Sequence, residues 1–506
     1  MSNLRDHQPI SIDKFNLLWQ RGDKDNTPLD HFQDCENVQA IGDSSFGTRP
    51  GIGIHQSVAV PLSNVKRIYN YPTPTGNTLI VLTYDVATTT GKIYHVVNST
   101  TVHGPLLSIV GMIDFAFAPY AGRGYISPIG YYTAGNLNVE KGLQNEFLYV
   151  YMGDGTAARK AAGVPLGGGM TIANGAAGHT DPGKHLFAVV AETNSGFLTA
   201  PASITLFTTA AGSSVSFGAI PTSGLASVTK RHIVATKVIP SYDGNTTGYQ
   251  FFFIPNATIN DNTTLFLNNI SFYDADLLDD ASYLLDNYSE IPAGVGLTFY
   301  HNRLVLYTTF NDISLMLVSA PGEPEAINQI DGLLIFPLDG NPITNAQELR
   351  DVFYVMKRSK TIAFVDNDDV PSSWPFTIID NALGTCIHGI ATVIDSGSMS
   401  VDYLIVCTYQ GISLFSGKYI TPELSWKIED FWGLQDRDEF RRIQILNSSI
   451  QKNIYIILPD RRMLVGNYSI GMDPKKIKWT PWSFLRGVNT IAVVNIDEII
   501  LGTDLE

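Results

Sequence analysis

The last third of the sequence, residues 361–506, alternates short apolar runs with tight turns and has almost no helical periodicity. Typical runs are DYLIVCTYQGISLF, which begins at Asp402, and NIYIILPDRRMLVGNYS, which begins at Asn453. Strands of about 4–8 residues at roughly 8–12-residue spacing are typical of an all-β sandwich, barrel or propeller. A longer period of about 40–60 residues favours propeller blades. We therefore predict a mainly β chain built on a β-propeller of six or seven blade-like units.

Composition narrows the class of protein. The chain has 506 residues, of which 44% are apolar and 16% charged, and this balance is that of a globular protein. Its net charge of −15 argues against a surface that neutralises DNA phosphates, although it does not argue against a channel through which DNA slides. The three cysteines, Cys35, Cys386 and Cys407, form no CxxC pair, so neither a disulfide framework nor a structural zinc site is predicted.

Targeting signals are not evident in the sequence. The N-terminal residues, MSNLRDHQPI, lack the apolar segment of a secretory signal, and no apolar run approaches the ~18 residues of a membrane span. We therefore expect no membrane-spanning segment and no secretion through a signal peptide.

The pattern divides the chain into four parts. Residues 1–60 are predicted as an N-terminal arm whose last strand closes the propeller ring, since joining first to last removes sheet edges. Residues 61–160 form the first propeller part. A Gly-rich linker follows, and residues 163–265 hold five to seven short strands, which is the size of a fibronectin III or immunoglobulin-like β-sandwich. Residues 266–506 form the second propeller part.

Helical signals are few. Asp274–Asn287 is the strongest, because its acidic first half suits a helix N-terminus and Leu277, Ala281, Leu284 and Leu285 share one face. A short helix running into a strand is predicted for Asn345–Lys357. Phe15, Leu18 and Trp19 have the spacing of one apolar helical turn.

Two motifs resemble ligand-binding loops. GHTDPGKH (Gly178–His185) nearly matches a P-loop, but His185 replaces the required Ser or Thr and a strand follows instead of a helix, so a nucleotide site is not predicted. DNDD (Asp366–Asp369) resembles a calcium-loop fragment, but Val370 and Pro371 interrupt it. A solvated turn is the favoured interpretation of that stretch.

Catalytic patterns are equally weak. HExxH and GxSxG are absent from the sequence. A glycoside hydrolase needs two carboxylates facing one cleft, and acidic residues on blade loops leave that class open. Five tryptophans could form a sugar-binding platform, although packing between blades is the favoured role: Trp374, Trp426, Trp432, Trp479 and Trp482. We assign no catalytic, cofactor-binding or metal-binding residue and predict that the protein is not an enzyme.

Several longer phrases resemble the tail nozzle or tail-hub proteins of short-tailed bacteriophages, the tail tubular protein B-like group. They are spread over most of the chain from about residue 40. The phrases are GTRPGI (Gly47–Ile52), FAPYAGRGYISP (Phe117–Pro128), NEFLYVYMGDGTAARKAAG (Asn145–Gly163), FYHNRLVLY (Phe299–Tyr307), SAPGEPEAIN (Ser319–Asn328), and FVDNDDVPSSWPFTIID with GTCIHGIA (Phe364–Ala391).

The resemblance implies a virion structural protein of the phage tail, assembled in the host cytoplasm. Such a protein forms a homo-hexameric nozzle ring next to the head–tail adaptor, conducts genomic DNA during ejection without sequence-specific binding, and is a docking platform for a tail fibre or spike. The acidic balance agrees with a conduit that repels phosphates. The alternative is a carbohydrate-active or carbohydrate-binding β-propeller that acts at the host surface.

Overall fold

The computed structural model describes most of the chain from residue 62 onward and short stretches before it. The described residues are 16–18, 31–32, 35–41, 45–50, 62–74, 76–134, 137–163, 165–285, 290–367, 370–393, 403–421, 423–494 and 498–504. The predicted mainly β chain with many small antiparallel sheets is confirmed.

The N-terminal stretches form two short strand pairs. The first two larger sheets follow these pairs in the chain. The pairs are β1 (Asn16–Leu18) with β2 (His31–Phe32), and β3 (Val38–Ile41) with β4 (Ser45–Thr48). The first sheet holds β5 (Val65–Thr73), β6 (Gly76–Asp85), β7 (Thr90–Val96) and β8 (Val102–Val110). The second holds β9 (Asp114–Tyr120), β10 (Arg123–Ala134), β11 (Leu137–Gly142), β12 (Tyr149–Tyr151) and β13 (Arg159–Lys160).

Two sheets then interrupt the series, and we call residues 171–270 the insert. Its strands are β14 (Thr171–Ala177), β15 (Gly183–Thr193), β16 (Ala202–Thr209), β17 (Ser213–Gly218), β18 (Val228–Ala235), β19 (Phe252–Ile259) and β20 (Leu267–Ile270). One sheet has the order β14-β17-β20 and the other β16-β15-β18-β19. Phe187 and Ile233 from the second sheet pack with Phe217 from the first in one apolar core.

The series of small sheets resumes after the insert. The third sheet holds β21 (Gly294–Tyr300), β22 (Arg303–Thr309), β23 (Leu315–Ala320), β24 (Glu323–Ile327) and β25 (Leu333–Leu334), and the fourth holds β26 (Ile343–Leu349), β27 (Val352–Lys357), β28 (Lys360–Phe364) and β29 (Phe376–Asp380). The fifth sheet holds β30 (Ile390–Val393), β31 (Tyr403–Cys407), β32 (Ile412–Phe415) and β33 (Tyr419–Ile420). The sixth sheet holds β34 (Gln444–Ser448), β35 (Asn453–Ile457), β36 (Met463–Asn467) and β37 (Lys478–Trp482). A pair, β38 (Val488–Val493) with β39 (Ile499–Thr503), is the seventh.

Helices are short in the described residues. One α-helix turn, α1, spans Glu429–Gly433. The 3₁₀ turns are Asp274–Asp276, Ser282–Leu285, Gln329–Asp331, Pro337–Asp339, Pro371–Ser373, Trp426–Ile428 and Arg437–Arg442.

The sheets follow one another around a closed ring. The first strand of one sheet contacts the first strand of the next, as in the pairs β5–β9, β9–β21, β21–β26, β30–β34 and β34–β38, and β38 returns to β5. Tyr354 and Met356 of the fourth sheet pack on Leu404 and Val406 of the fifth. This arrangement of small antiparallel sheets fits a β-propeller.

Each junction between consecutive sheets has its own apolar cluster. Ile80 of the first sheet, for example, packs with Phe115 of the second, and Ile405 of the fifth packs with Ile456 of the sixth. Burying one such side chain stabilises a fold by roughly 1.5–3 kcal/mol. The runs that read as continuous apolar strands are therefore buried on both faces, between two neighbouring sheets.

The described part of the N-terminal arm lies beside the sixth sheet. The backbone N–H of Asn37 donates to the carbonyl of Pro481 at 2.9 Å, and Trp482 Nε1 donates to the carbonyl of Val38 at 2.8 Å. A ring-closing strand within residues 51–60 falls outside the described residues. In the described part, the ring closes where Thr490 on β38 accepts a hydrogen bond from the backbone N–H of Ile68 at 3.0 Å.

The helix predictions were wrong wherever the structure describes them. Asp274–Asn287 forms two separate 3₁₀ turns, because Leu277 packs in the insert core whereas Ala281 and Leu284 pack in a different cluster. The stretch from Asn345 to Lys357 is a β-hairpin whose turn, at Arg350 and Asp351, has φ of 53° and 62°. Residues 16–18 form strand β1, and Phe15 and Trp19 lie outside the described residues.

Candidate functional site

Polar side chains from several sheets and one loop meet where the first strands converge, and we call Arg67, Tyr69, Asp114, His388 and Gln444 the hub. Arg67 donates Nε and Nη2 to the two carboxylate oxygens of Asp114 at 2.9 and 2.6 Å, and Nη1 to Gln444 Oε1 at 3.0 Å. His388 Nε2 lies 3.1 Å from Asp114 Oδ2. The seventh sheet joins through its Thr490 hydroxyl, which donates to Gln444 Oε1 at 2.8 Å. The hub thus ties sheets one, two, six and seven to the loop that precedes the fifth.

The ionisation of the hub is fixed by its surroundings. Burial opposes the charged form of Asp114, but the charges of Arg67 and His388 hold its pKa below the usual range. Burial and the charge of Arg67 lower the pKa of His388 although Asp114 opposes this, and burial raises the pKa of Tyr69. General acid–base catalysis needs a group whose pKa lies near the working pH. None of these three pKa values moves toward neutrality, and the hub is organised around the Arg67–Asp114 ion pair.

A cavity of about 290 Å³ lies next to the hub and is lined by basic and acidic side chains. Asp114 lines it together with Glu140 on β11 and Arg441 in the 3₁₀ turn Arg437–Arg442. Burial raises the pKa of Glu140 despite the opposing charge of Arg441, whose Nε is 3.9 Å from Glu140 Oε1. Glu140 is therefore the carboxyl group of this cavity whose pKa moves toward neutrality, whereas the pKa of Asp114 moves away.

A second buried ionic cluster joins the insert to the ring, and we call Arg159, Thr193, Ser195 and Glu325 the insert junction. Glu325 on β24 is 2% exposed and accepts from Arg159 Nη1 at 2.9 Å, from Arg159 Nη2 at 3.1 Å and from the Ser195 hydroxyl. The backbone N–H of Ala162 donates to the same carboxylate at 2.9 Å. Arg159 Nη2 also donates to Thr193 Oγ1 at 3.1 Å and Ser195 Oγ at 2.7 Å. One carboxylate thus links the second sheet, the third sheet and the first hairpin of the insert.

The phrases on which the phage resemblance rests contact one another in space. Arg159, in the phrase Asn145–Gly163, meets Glu325, in the phrase Ser319–Asn328. Tyr120 lies in the phrase Phe117–Pro128, and its ring stacks on Phe299 at a centroid distance of 4.7 Å.

Two further contacts continue this pattern. Arg303, in the phrase Phe299–Tyr307, donates Nε to Asp366 Oδ2 at 3.2 Å, and Asp366 lies in the phrase that begins at Phe364. His388 of GTCIHGIA belongs to the hub. Most of the phrases therefore mark places where one sheet is joined to the next or to the insert.

The structure also places the residues of the weaker motifs. Asp366 has a 2% exposed side chain held by Arg303, so the solvated-turn interpretation was wrong for this residue. Asp368 and Asp369 lie outside the described residues. Gly183–His185 begins strand β15, so the predicted strand after the P-loop-like motif is confirmed.

The tryptophans and cysteines are mostly interior. Trp374, Trp432, Trp479 and Trp482 are buried, as the packing interpretation predicted, and Trp426 is partly exposed. Cys386 and Cys407 are buried free thiols, and Cys35 is partly exposed.

Neither the hub nor the insert junction is evident from the sequence alone. Arg67 and Asp114 are 47 residues apart in the chain, and Asp114 and His388 are 274 apart. The available signal was charged residues within otherwise apolar strand starts, as in VKRIY around Arg67 and GMIDFAF around Asp114. A buried charge is tolerated only when it is paired, so each such residue predicts a partner without identifying it.

Comparison with known proteins gives structural neighbours only. No family model matches the sequence, and no curated protein matches it. The structure is similar to Hsv2 of Kluyveromyces lactis, a β-propeller, at 10% identity over 83% of this chain and 97% of that chain, with a TM-score of 0.28. A second structure of this protein gives 12% identity over 82% and 96%, with a TM-score of 0.26. An acylaminoacyl peptidase of Pyrococcus horikoshii covers 80% of this chain and 57% of its own, at 9% identity and a TM-score of 0.15.

These likenesses are too weak to bear on function. The ring of sheets is inferred from the contacts between the first strands of consecutive sheets, and these likenesses add nothing to that inference. A search of the described residues for helices found none that is long and apolar enough to cross a membrane.

Proposed function

We propose that the chain is a virion structural protein that forms the nozzle ring of a phage tail. In this role it conducts DNA during ejection and provides a docking platform for fibres or spikes. The observation that carries the proposal is the mutual contact of the phrases that resemble tail nozzle proteins, through pairs such as Arg159–Glu325 and Arg303–Asp366. Residues that join sheets determine the shape of a subunit, which is the property that a ring-forming protein depends on.

The charge balance supports the same role. A net charge of −15 gives an assembled ring a surface that repels phosphates, and DNA then slides without sticking. In the hub the titratable groups satisfy one another, which suits a structural element better than a catalytic one. The partners in this proposal are other copies of the chain, as a homo-hexamer, together with the head–tail adaptor and a fibre or spike.

We further infer the finer architecture. The seven ring sheets are seven propeller units, of which the last has two strands in the described residues. The insert, with sheets of three and four strands around one core, has the strand number of a fibronectin III or immunoglobulin-like sandwich. Insertion between the second and third units presents this domain outside the ring of sheets, where it is available to a neighbouring subunit or a fibre.

Quantitative mass spectrometry of purified virions tests the proposal. A nozzle ring requires about half as many copies of this chain as of the portal subunit. The proposed ring is a closed hexamer of this chain, and a portal contains about twelve subunits. Particles that lack the protein, or that carry it at capsid-like abundance, would contradict it. Electron microscopy of the purified chain then shows whether closed rings form without the rest of the tail.

A carbohydrate-active propeller is the second candidate, and one observation favours it. Asp114 and Glu140 line the same cavity, and their surroundings move their pKa values in opposite directions, as in a retaining or inverting glycosidase. Against it, Asp114 is fully engaged by Arg67, and four of the five tryptophans that could bind sugars are buried.

One assay distinguishes the structural role from the carbohydrate-active role. Wild-type protein and Glu140→Gln are incubated with a panel of host-surface polysaccharides, and reducing ends are counted. Cleavage by the wild type that Glu140→Gln abolishes would establish the enzyme. Equal and negligible release from both proteins supports the structural role.

A further inference from the structure

Two neighbouring hairpin turns on the third and fourth sheets bring a histidine and two carboxylates together. His301 lies in the turn between β21 and β22, Glu348 lies near the end of β26, and Asp351 lies in the turn between β26 and β27. Their potential ligand atoms, one from each side chain, all lie within 4.8 Å of one another. We propose that His301, Glu348 and Asp351 form a binding site for a divalent transition-metal cation of the Zn²⁺ type.

The backbone around the three residues is held in place by one buried tyrosine. Tyr300 donates its hydroxyl to the carbonyl of Asp351 at 3.1 Å, and it accepts from the backbone N–H of Asp366 at 3.1 Å. Its ring stacks on Phe353 at a centroid distance of 4.8 Å and on the imidazole of His301 at 4.1 Å. The two turns therefore keep a fixed spacing, and a cation arriving there finds its ligands already gathered.

The charges of the cluster favour a cation. Two carboxylates, those of Glu348 and Asp351, lie beside one imidazole. A bound cation supplies the missing positive charge and removes the repulsion between the two carboxylates.

The donor set indicates the class of metal. Calcium and magnesium prefer all-oxygen ligands, whereas imidazole with carboxylates suits zinc, manganese and related ions. Zinc binds histidine nitrogen and carboxylate oxygen at about 2.0–2.2 Å, and here one imidazole and two carboxylates offer ligand atoms that lie within 4.8 Å of one another. Asp366 Oδ2 lies 3.7 Å from His301 Nδ1, beyond hydrogen-bond distance, and accepts from Arg303 Nε at 3.2 Å.

Calorimetric titration of the purified full-length chain with Zn²⁺ tests the site. We expect binding of one ion that His301→Ala and Glu348→Gln each weaken at least about tenfold, the usual effect of losing a ligand or its partner. Asp351→Asn is the third variant, since Asn tolerates the left-handed turn that Asp351 occupies. His179→Ala is the matched control, because His179 is exposed and belongs to the insert.

The outcomes are distinct. Zinc affinity within twofold of wild type in His301→Ala or Glu348→Gln overturns the proposal, as does no detectable binding by the wild type. Substitution with Co²⁺ gives a second readout, because visible absorption bands that disappear in His301→Ala require an imidazole ligand. The assay uses the isolated chain, so its result does not depend on whether the chain forms a nozzle ring.

Discussion

Arg159 and Glu325 form a buried ion pair across the boundary between the second and third sheets, with Nη1 2.9 Å from Oε2. The guanidinium is 14% exposed and the carboxylate 2%. Ser195, on the first hairpin of the insert, donates to the same carboxylate. The position of the insert on the ring is therefore coupled to one charge that water barely reaches.

Replacement of Glu325 by Gln should destabilise the fold strongly. The substitution keeps the shape of the side chain but leaves Arg159 without its counter-charge, and breaking a buried pair in this way costs about 3–5 kcal/mol. We expect a loss of about 3 kcal/mol in the free energy of unfolding in urea.

Glu323→Gln is the control for this substitution. Glu323 lies two residues earlier on the same strand and is exposed, so its replacement should change stability by less than about 0.5 kcal/mol. Equal effects of the two substitutions would show that the pair does not hold the insert junction.

The hub predicts a specific dependence of stability on pH. The pKa of Asp114 is lower in the folded chain than its ordinary value of about 3.9, so its stabilisation is complete above that value and is lost as pH falls. Asp114→Asn removes this contribution and should cost about 3 kcal/mol at neutral pH. The gap between wild type and variant should narrow steadily below about pH 4.

Urea unfolding at a series of pH values from neutral to acidic measures that gap. Asp279→Asn, at an exposed position, is the control and should follow the wild type throughout. A gap that stays constant with pH would mean that the charge of Asp114 does not contribute to stability.

Strands and sheets could be predicted from the sequence more reliably than the contacts between sheets could. Short apolar runs such as Ile454–Ile457 could be assigned as strands because each is buried on both faces. Asp274–Asn287 misled the helix prediction because Leu277 and Leu284 serve two different cores, and this division is invisible in the spacing of apolar residues. The turn at Arg350 and Asp351 gave little signal, since Asp often occupies left-handed backbone but Arg is not a usual occupant.

The candidate sites were beyond sequence reasoning for a related reason. The metal cluster draws His301 and Glu348 from separate hairpins, so no short-range ligand spacing exists. The hub joins Asp114 to His388 across most of the chain. Packing of the third sheet on the fourth brings His301 and Glu348 together. Asp114 and His388 meet only when the sheets form the ring, and that depends on the packing of every sheet.

Cys386 and Cys407 should be almost inert in the native protein. Burial raises the pKa of Cys386 to about 12 and that of Cys407 well above its ordinary value, and the thiolate is the form that reacts. With a disulfide reagent at mild alkaline pH, we expect at most one rapidly reacting thiol, that of Cys35. Cys35→Ser should abolish this phase, and denaturant should release the two buried thiols. A second rapidly reacting thiol in the native chain would contradict the buried placement.

Gly142 should not tolerate any side chain. It lies at the end of β11, and a Cβ atom there would overlap the backbone carbonyl of Ala293, just before the first strand of the third sheet. A backbone atom cannot move aside as a flexible side chain does, so we expect Gly142→Ala to cost at least about 2 kcal/mol and to lower the thermal midpoint. Gly167→Ala is the matched control, because a Cβ atom at Gly167 meets nothing within 4 Å. Similar thermal midpoints for the two variants would contradict the close approach of the second and third sheets, on which the ring geometry depends.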